Sequence, residues 1–273
     1  MHIIDKINNI IKKNNSLVCV GLDSELSKIP AHLQNDQYPQ FAFNKAIIEA
    51  THDLICAYKP NTAFYEARGE QGILELKMTC DYLKEYHPEI VVILDAKRAD
   101  IGNTNNGYIK FAFDYLQADA ITLHPYLGKE ALQSFLDHQE KGCIILCRTS
   151  NSGSGEFQNL EIENLKLYQI IAEKVSKDWN TNNNCLLVVG ATYPEELKII
   201  RQIDPNMFFL VPGIGAQGGD IEKTLQAGLN NNKSGLIINS SRGIIFADNT
   251  SDFATAARME TDKLKNEINQ YRA

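Results

Sequence analysis

Long apolar runs are missing from this 273-residue chain. None approaches the roughly 20 residues that a membrane-spanning helix needs, so no segment reads as one. A basic tract is also missing. Lys and Arg number 27 against 34 Asp and Glu, a formal net charge of −7. That balance argues against a nucleic-acid surface, and any anionic ligand must be held by local groups because the overall field does not attract it. No Cys-x-x-Cys pair occurs, and no His-x-His or carboxylate cluster has metal-ligand spacing. Cys19, Cys56, Cys80, Cys143, Cys147 and Cys185 lie mostly inside apolar runs, so they are expected as reduced core residues, with neither a metal nor disulfides. The opening Met-His-Ile-Ile-Asp-Lys is not followed by a long apolar stretch, which predicts no signal peptide and a cytoplasmic protein. Linkers and low-complexity segments are absent too, and residues 1–273 are expected to form a single domain.

What is present is a repeat of short apolar, β-branched runs: Leu17–Leu22, Leu54–Lys59, Ile90–Leu94, Ala120–Leu123, Cys143–Cys147, Cys185–Val189, Met207–Val211 and Gly235–Ile238. Near-continuous apolar character is what parallel strands buried on both faces require. Segments of helical periodicity alternate with them: Phe41–His52, Ile73–Tyr86, Asn106–Leu116, Lys129–His138, Leu160–Trp179, Glu195–Ile203, Asp220–Leu229 and Ser251–Tyr271. This rhythm predicts an α/β fold, a (β/α)8 TIM barrel, with an open doubly wound sheet as the alternative that shares the same local alternation. Asp23–Gln40 reads as the longest insertion, and the Gly/Ser-rich Ser150–Asn159 as a candidate lid.

In such a barrel the chemistry sits at the C-terminal ends of the strands. Read in order, those ends supply Asp23, Lys59, Asp95 with Lys97, Ser150, the run Pro212–Gly219, and Ser241-Arg242-Gly243. Residues i and i+2 of a strand share a face, so Asp95 and Lys97 should project together. Lys59 ends the neighbouring strand, and Asp100 follows where the third strand becomes a loop. The four predict an alternating array of two lysines and two aspartates, in which carboxylate neighbours keep the ammonium groups charged. A purely structural ion-pair network is the competing explanation.

Gly213, Gly215, Gly218 and Gly219 follow the seventh strand, just before a helix expected near Asp220. Glycines let backbone amides approach an anion, and a helix N-terminus adds partial positive charge. Arg242 follows the eighth strand and can grip phosphate through two parallel hydrogen bonds. The pair of loops predicts a phosphate site, against the simpler possibility of tight-turn glycines and a surface arginine. His124, before Pro125, is a possible general base and more simply a barrel-wall residue.

Taken together, Asp95-x-Lys97-x-x-Asp100-Ile101, Lys59-Pro60-Asn61, Arg148-Thr149-Ser150-Asn151 and Pro212-Gly213-Ile214-Gly215-Ala216-Gln217-Gly218-Gly219-Asp220 resemble the orotidine 5′-phosphate decarboxylase family, in its longer bacterial group. The resemblance covers the whole chain. It implies cofactor-independent decarboxylation of orotidine 5′-phosphate to UMP and CO2 in pyrimidine biosynthesis. It also implies roles. Asp23 and Lys59 would bind ribose hydroxyls, Asp95 would face the substrate carboxylate, and Lys97 would deliver the proton to C6. Ser150 would bond the pyrimidine, and Gln217 would bridge ring and phosphate. Arg242 would hold the phosphate with the loop residues Gly215, Gly218, Ser241 and Gly243. Asp100 and Thr104 would come from the partner of a homodimer. Two readings compete. A metal-dependent sugar-phosphate lyase of the same barrel usually carries a carboxylate where this chain has Lys59. A silent nucleotide-binding protein has no need of Lys97.

Overall fold

Eight of the buried apolar runs form parallel strands: β1 (Val18–Gly21), β2 (Ala57–Lys59), β3 (Val91–Arg98), β4 (Ala120–Leu123), β5 (Gly142–Arg148), β6 (Cys185–Val189), β7 (Phe209–Val211) and β8 (Leu236–Ser240). The computed structural model describes residues 1–214 and 218–272. Each strand pairs with its neighbour in the chain, and β8 returns to β1. Val18 of β1 lies opposite Ile238 of β8, while Cys19 lies opposite Ala57 of β2. β1 is thus bonded on both sides. Closure leaves no sheet edge, which rules out the open doubly wound arrangement and establishes the TIM barrel.

A helix follows every strand: Pro39–Thr51, Gly69–Tyr86, Asn103–Ile109, Gly128–Leu136, Leu167–Lys174, Pro194–Ile203, Ile221–Gly228 and Phe253–Gln270. Their buried residues recur at helical spacing. In the last helix these are Phe253, Ala257, Thr261, Leu264 and Ile268, one stripe turned to the barrel. Pro39 and Pro194 begin their helices, where the missing N–H costs nothing. Phe43 of the first barrel helix stacks on Phe246 and Phe253, at 5.6 and 5.0 Å between ring centroids, joining the two ends of the chain. All six cysteines are buried and free.

The structure departs from the sequence expectation in three places. Ile3–Asn14 is an additional helix that precedes β1, with Ile3, Ile7, Ile10 and Ile11 buried. It crosses the N-terminal mouth of the barrel. His2 Nε2 lies 3.1 Å from the Asn182 carbonyl ahead of β6, and Lys6 Nζ donates to Asp119 Oδ2 at 2.7 Å ahead of β4. Asn14 Nδ2 donates to the Ile55 carbonyl ahead of β2 at 2.7 Å. At about 1.5–3 kcal/mol per fully buried isoleucine, the helix is a substantial part of the core.

The expected helix Leu160–Trp179 begins only at Leu167. Glu161–Ile162 and Leu165–Lys166 pair as a small antiparallel hairpin instead. Glu163 and Asn164 turn it with φ of 53° and 67°, the positive angles that a two-residue hairpin loop needs. β3 is also longer than expected. It runs to Arg98, so Asp95 and Lys97 lie within the strand.

Candidate active site

Asp95 stands at the centre of the C-terminal mouth, its side chain 10% exposed. Its carboxylate accepts four hydrogen bonds. Lys59 Nζ at 2.8 Å and Asn61 Nδ2 at 3.2 Å reach Oδ2. Lys97 Nζ at 2.6 Å and Thr122 Oγ1 at 2.9 Å reach Oδ1. The Lys59 ammonium also lies 4.0 Å from Asp23 Oδ1. Burial alone would push the Asp95 carboxyl up. The neighbouring Lys59 and Lys97 charges outweigh it and hold the group well below the usual carboxylate range. For Lys59 burial works downward, but Asp95 and Asp23 win and raise it above the usual lysine range. The buried Lys59–Asp95 pair is therefore fixed as opposite charges over the whole neutral pH range.

Two neighbours shape this array. β2 continues past Lys59, so that Asp95 N donates to the Pro60 carbonyl at 3.0 Å and Thr62 N donates to the Asp95 carbonyl at 3.2 Å. That pairing brings Asn61 beside Asp95. On the other side, the β3–β4 register shifts: Leu94 lies opposite Ile121, but Arg98 lies opposite Leu123. The intervening residues bulge, and Lys97 adopts φ of 47°, a left-handed conformation that is costly for a side-chain-bearing residue. Simple strand alternation is therefore not what joins Asp95 and Lys97.

Above the array lies a cavity of about 740 Å3. Asp23, Lys59, Asp95, Lys97, Ser150, Ser241, Arg242 and Gly243 all line it. Leu146, Val188, Leu210 and Ile214 give it an apolar wall beside the charges. Lys97 is the solvent-facing member of the array, with 48% of its side chain exposed, against 5% for Lys59. Asp23 Oδ1 is buried without a hydrogen-bond donor among the described residues. It is an acceptor suited to a ligand hydroxyl. Gly190, just after β6, lets the β5 loop close in: a Cβ there would lie 2.8 Å from Ser150 Cα and 2.9 Å from Ser150 N. Arg148 anchors the same loop from beneath. It is 1% exposed, ion-paired to Glu196, bonded to Ser154 and Gln158, and 3.9 Å from the Tyr193 ring centroid. The Ser150–Asn159 segment accordingly contains ordered turns, with a short helix at Gly155–Gln158.

The structure revises two expectations here. Asp100 does not join the array of its own chain. Its Oδ1 accepts Ile101 N at 2.7 Å, its backbone is clamped by buried Asn105, and it does not line the cavity. Asp23 is the second acid of the array instead. Thr104 is exposed on the Asn103–Ile109 helix and also lies off the cavity. The helix beginning at Ile221 carries the Asp220 carboxylate at its N-terminus, where it accepts Lys223 N at 3.1 Å and offsets part of the positive end of the helix dipole. The phosphate expectation then falls on Arg242, which forms no ion pair or side-chain hydrogen bond among the described residues, and on the loop glycines. Gly213 and Gly218 have φ of 100° and 82°, values that favour glycine. Gly215 and Gln217 lie outside the described residues. His124 Nε2 lies 3.2 Å from the Ala99 carbonyl, outside the cavity lining, as a wall residue would.

Thr122 and Asn105 were not singled out by the sequence, and Asn61 entered only within the motif Lys59-Pro60-Asn61, without a role. Thr122 is a polar residue inside the apolar run Ala120–Leu123, and that is the signal it carries.

Comparison with known proteins agrees with this geometry. The model of the orotidine 5′-phosphate decarboxylase / HUMPS family matches residues 16–257. An orotidine 5′-phosphate decarboxylase of Cellvibrio japonicus (strain Ueda107) is 49% identical over 275 aligned positions, covering 100% of both chains. One of Herpetosiphon aurantiacus is 52% identical over 246 residues, 90% of each chain. Among solved structures, the OMP decarboxylase of Leishmania donovani superposes with a TM-score of 0.86 at 38% identity, covering 100% of this chain and 99% of that one. A family match spanning most of the chain, full-length relatives and a shared closed barrel all agree: this chain belongs to the orotidine 5′-phosphate decarboxylase / HUMPS family.

Proposed function

We propose that this chain decarboxylates orotidine 5′-phosphate to UMP and CO2 in pyrimidine synthesis, and that Lys97 protonates C6 as CO2 departs. The observation that carries the reading is the buried Asp95 carboxylate held between two ammonium groups, one of which faces the cavity. Loss of CO2 from C6 leaves a lone pair in the ring plane, orthogonal to the π system. The ring is a poor sink for it, so a preorganised cation must stabilise the charge where it forms. Lys97 supplies that cation and then the proton. Asp95, kept ionised by Lys59, would face the substrate carboxylate and favour its departure. Each tenfold in rate requires about 1.4 kcal/mol, so the lysine is one contributor among several.

The remaining groups of the site are proposed to bind and orient. Asp23, whose buried Oδ1 accepts no hydrogen bond among the described residues, and Lys59 take the ribose hydroxyls. Ser150 takes the pyrimidine, and Gln217 bridges ring and phosphate. Arg242 holds the phosphate with Gly215, Gly218, Ser241 and Gly243. Phosphate binding far from C6 can drive closure of the surrounding loops. The reaction runs on protein groups without a cofactor, in a single barrel domain over residues 1–273, in the cytoplasm. The proposed assembly is a homodimer in which Asp100 and Thr104 complete the site of the partner subunit.

The test follows the absorbance of orotidine 5′-phosphate with purified protein, with and without chelator. The expected result is turnover in both conditions. Activity that vanishes with chelator supports a metal-dependent lyase instead, and no activity in either condition removes the reading. Lys97→Ala is expected to abolish turnover while most UMP affinity survives. Wild-type turnover in that variant takes the proton-donor role away from Lys97.

A further inference from the structure

We propose that Thr122 is a positioning residue that sets the Lys97 ammonium against Asp95. This rests on the role proposed above for Lys97 and adds the device that places it. Thr122 lies on β4 between Ile121 and Leu123, the two residues that flank the register shift with β3. Its backbone stays in the β4–β5 ladder opposite Ile144, so its position is fixed from the other side. Its hydroxyl does two things with one oxygen. It accepts the Lys97 amide at 2.9 Å and donates to Asp95 Oδ1 at 2.9 Å.

Both bonds are needed by the bulge. The Lys97 amide lies in the bulge where the β3–β4 register shifts, and leaving a partly buried amide without an acceptor is costly. The Thr122 hydroxyl is that acceptor. It holds Lys97 at the left-handed φ of 47° that turns its side chain back over Asp95 Oδ1. Because the hydroxyl proton goes to Asp95, the same atom that Lys97 Nζ contacts is oriented by Thr122. Thr122 itself is 1% exposed. Its oxygen thus couples the backbone of the proposed proton donor to the carboxylate that aims it.

Thr122→Val keeps shape and volume and removes the hydroxyl; Thr122→Ser keeps the hydroxyl. For the valine variant kcat is expected to fall by roughly 10- to 100-fold, as for a reacting group displaced by a fraction of an ångström, with KM and UMP affinity near wild type. Serine is expected to restore most of kcat. A structural role in packing alone predicts the reverse order, with valine near wild type and serine impaired, and that result would overturn the proposal. Equal wild-type kcat in both variants overturns it as well. The wild-type enzyme and Lys97→Ala, run in the same assay, show separately whether the decarboxylase reading and the Lys97 role hold.

Hydrogen exchange on the wild-type protein tests the tether even if the valine variant does not fold. The Lys97 amide is expected to be protected, and exchange at the rate of an open loop amide removes the bond on which the proposal stands.

Discussion

Asp95 is the residue on which the array closes, and its environment dictates how it responds to pH. Its folded-state pKa lies below the ordinary aspartate value of 3.8, so its ionised form contributes stability above that value. That contribution is lost as the pH falls through the lower, folded-state pKa. Lys59 behaves in the opposite sense. Its pKa is raised above the ordinary 10.5, so its contribution is fully present below that value and is lost as the pH rises through the still higher folded-state pKa. Neither group changes charge between these limits, so neither sets a limb of a pH–rate profile near neutrality. Asp95→Asn removes the one carboxylate shared by both lysines. The expected cost is about 3–5 kcal/mol, because the buried Lys59 ammonium loses its hydrogen-bonded carboxylate and keeps only Asp23 at 4.0 Å. Urea unfolding near pH 7 measures it, and the gap should narrow as the pH falls below the ordinary aspartate value. A loss under about 1 kcal/mol at neutral pH would show Asp95 acting as a surface ion pair does.

At the level of elements, the site depends on how closely neighbouring strand ends approach. β5 and β6 end side by side, and Gly190 is the residue that lets the Ser150 backbone come in. Gly190→Ala places a methyl group against backbone, which cannot rotate away. The strand-end loop must move, at about 1–3 kcal/mol of overpacking. Because Ser150 lines the cavity, kcat/KM should drop by about 100-fold even though the new methyl group is remote from Lys97. Steady-state kinetics beside a thermal melt separates the two effects. Unchanged kinetics would mean that the position of Ser150 does not matter to the reaction.

Much of this layer is legible in the sequence. The eight strands and their order follow from apolar runs alternating with helical periods, because parallel strands buried on both faces permit little else. The helix Ile3–Asn14 also carries a readable pattern in Ile3, Ile7, Ile10 and Ile11, but it stands outside the strand–helix repeat, and its docking depends on distant partners such as Asp119 and Ile55. The β3 bulge has no local signal at all. Its left-handed residue is a lysine rather than Gly or Asn, and the conformation is held by tertiary bonds to Thr122 and Asp95. The hairpin at Glu161–Lys166 was hidden for a similar reason: Glu163 occupies a positive-φ position where Asn or Gly would have announced a turn.

The whole molecule joins an acidic surface, with net charge −7, to a site proposed to bind a phosphorylated carboxylate. Long-range attraction does not help such a ligand, so capture rests on groups gathered at one mouth of the barrel. One mouth of one chain does not gather every group proposed for the site. Asp100 does not line its own cavity, and its loop carries Ile101, 62% exposed. The adjoining loop after β4, tied to it by His124 and the Ala99 carbonyl, carries Tyr126 at 89% and Leu127 at 44% exposure. Exposed apolar side chains beside an acid that does not line its own cavity are what a second copy of the chain would cover. The proposed homodimer therefore makes a quantitative prediction. Lys97→Ala and Asp100→Ala should each be nearly inactive alone. When the two variants are mixed under conditions that exchange subunits, half of the dimers are mixed, and one of the two sites in each has both residues intact. Activity should return to roughly a quarter of wild type by statistical assortment. If Asp100 instead served its own chain, every site in the mixture would lack one group and no activity would return.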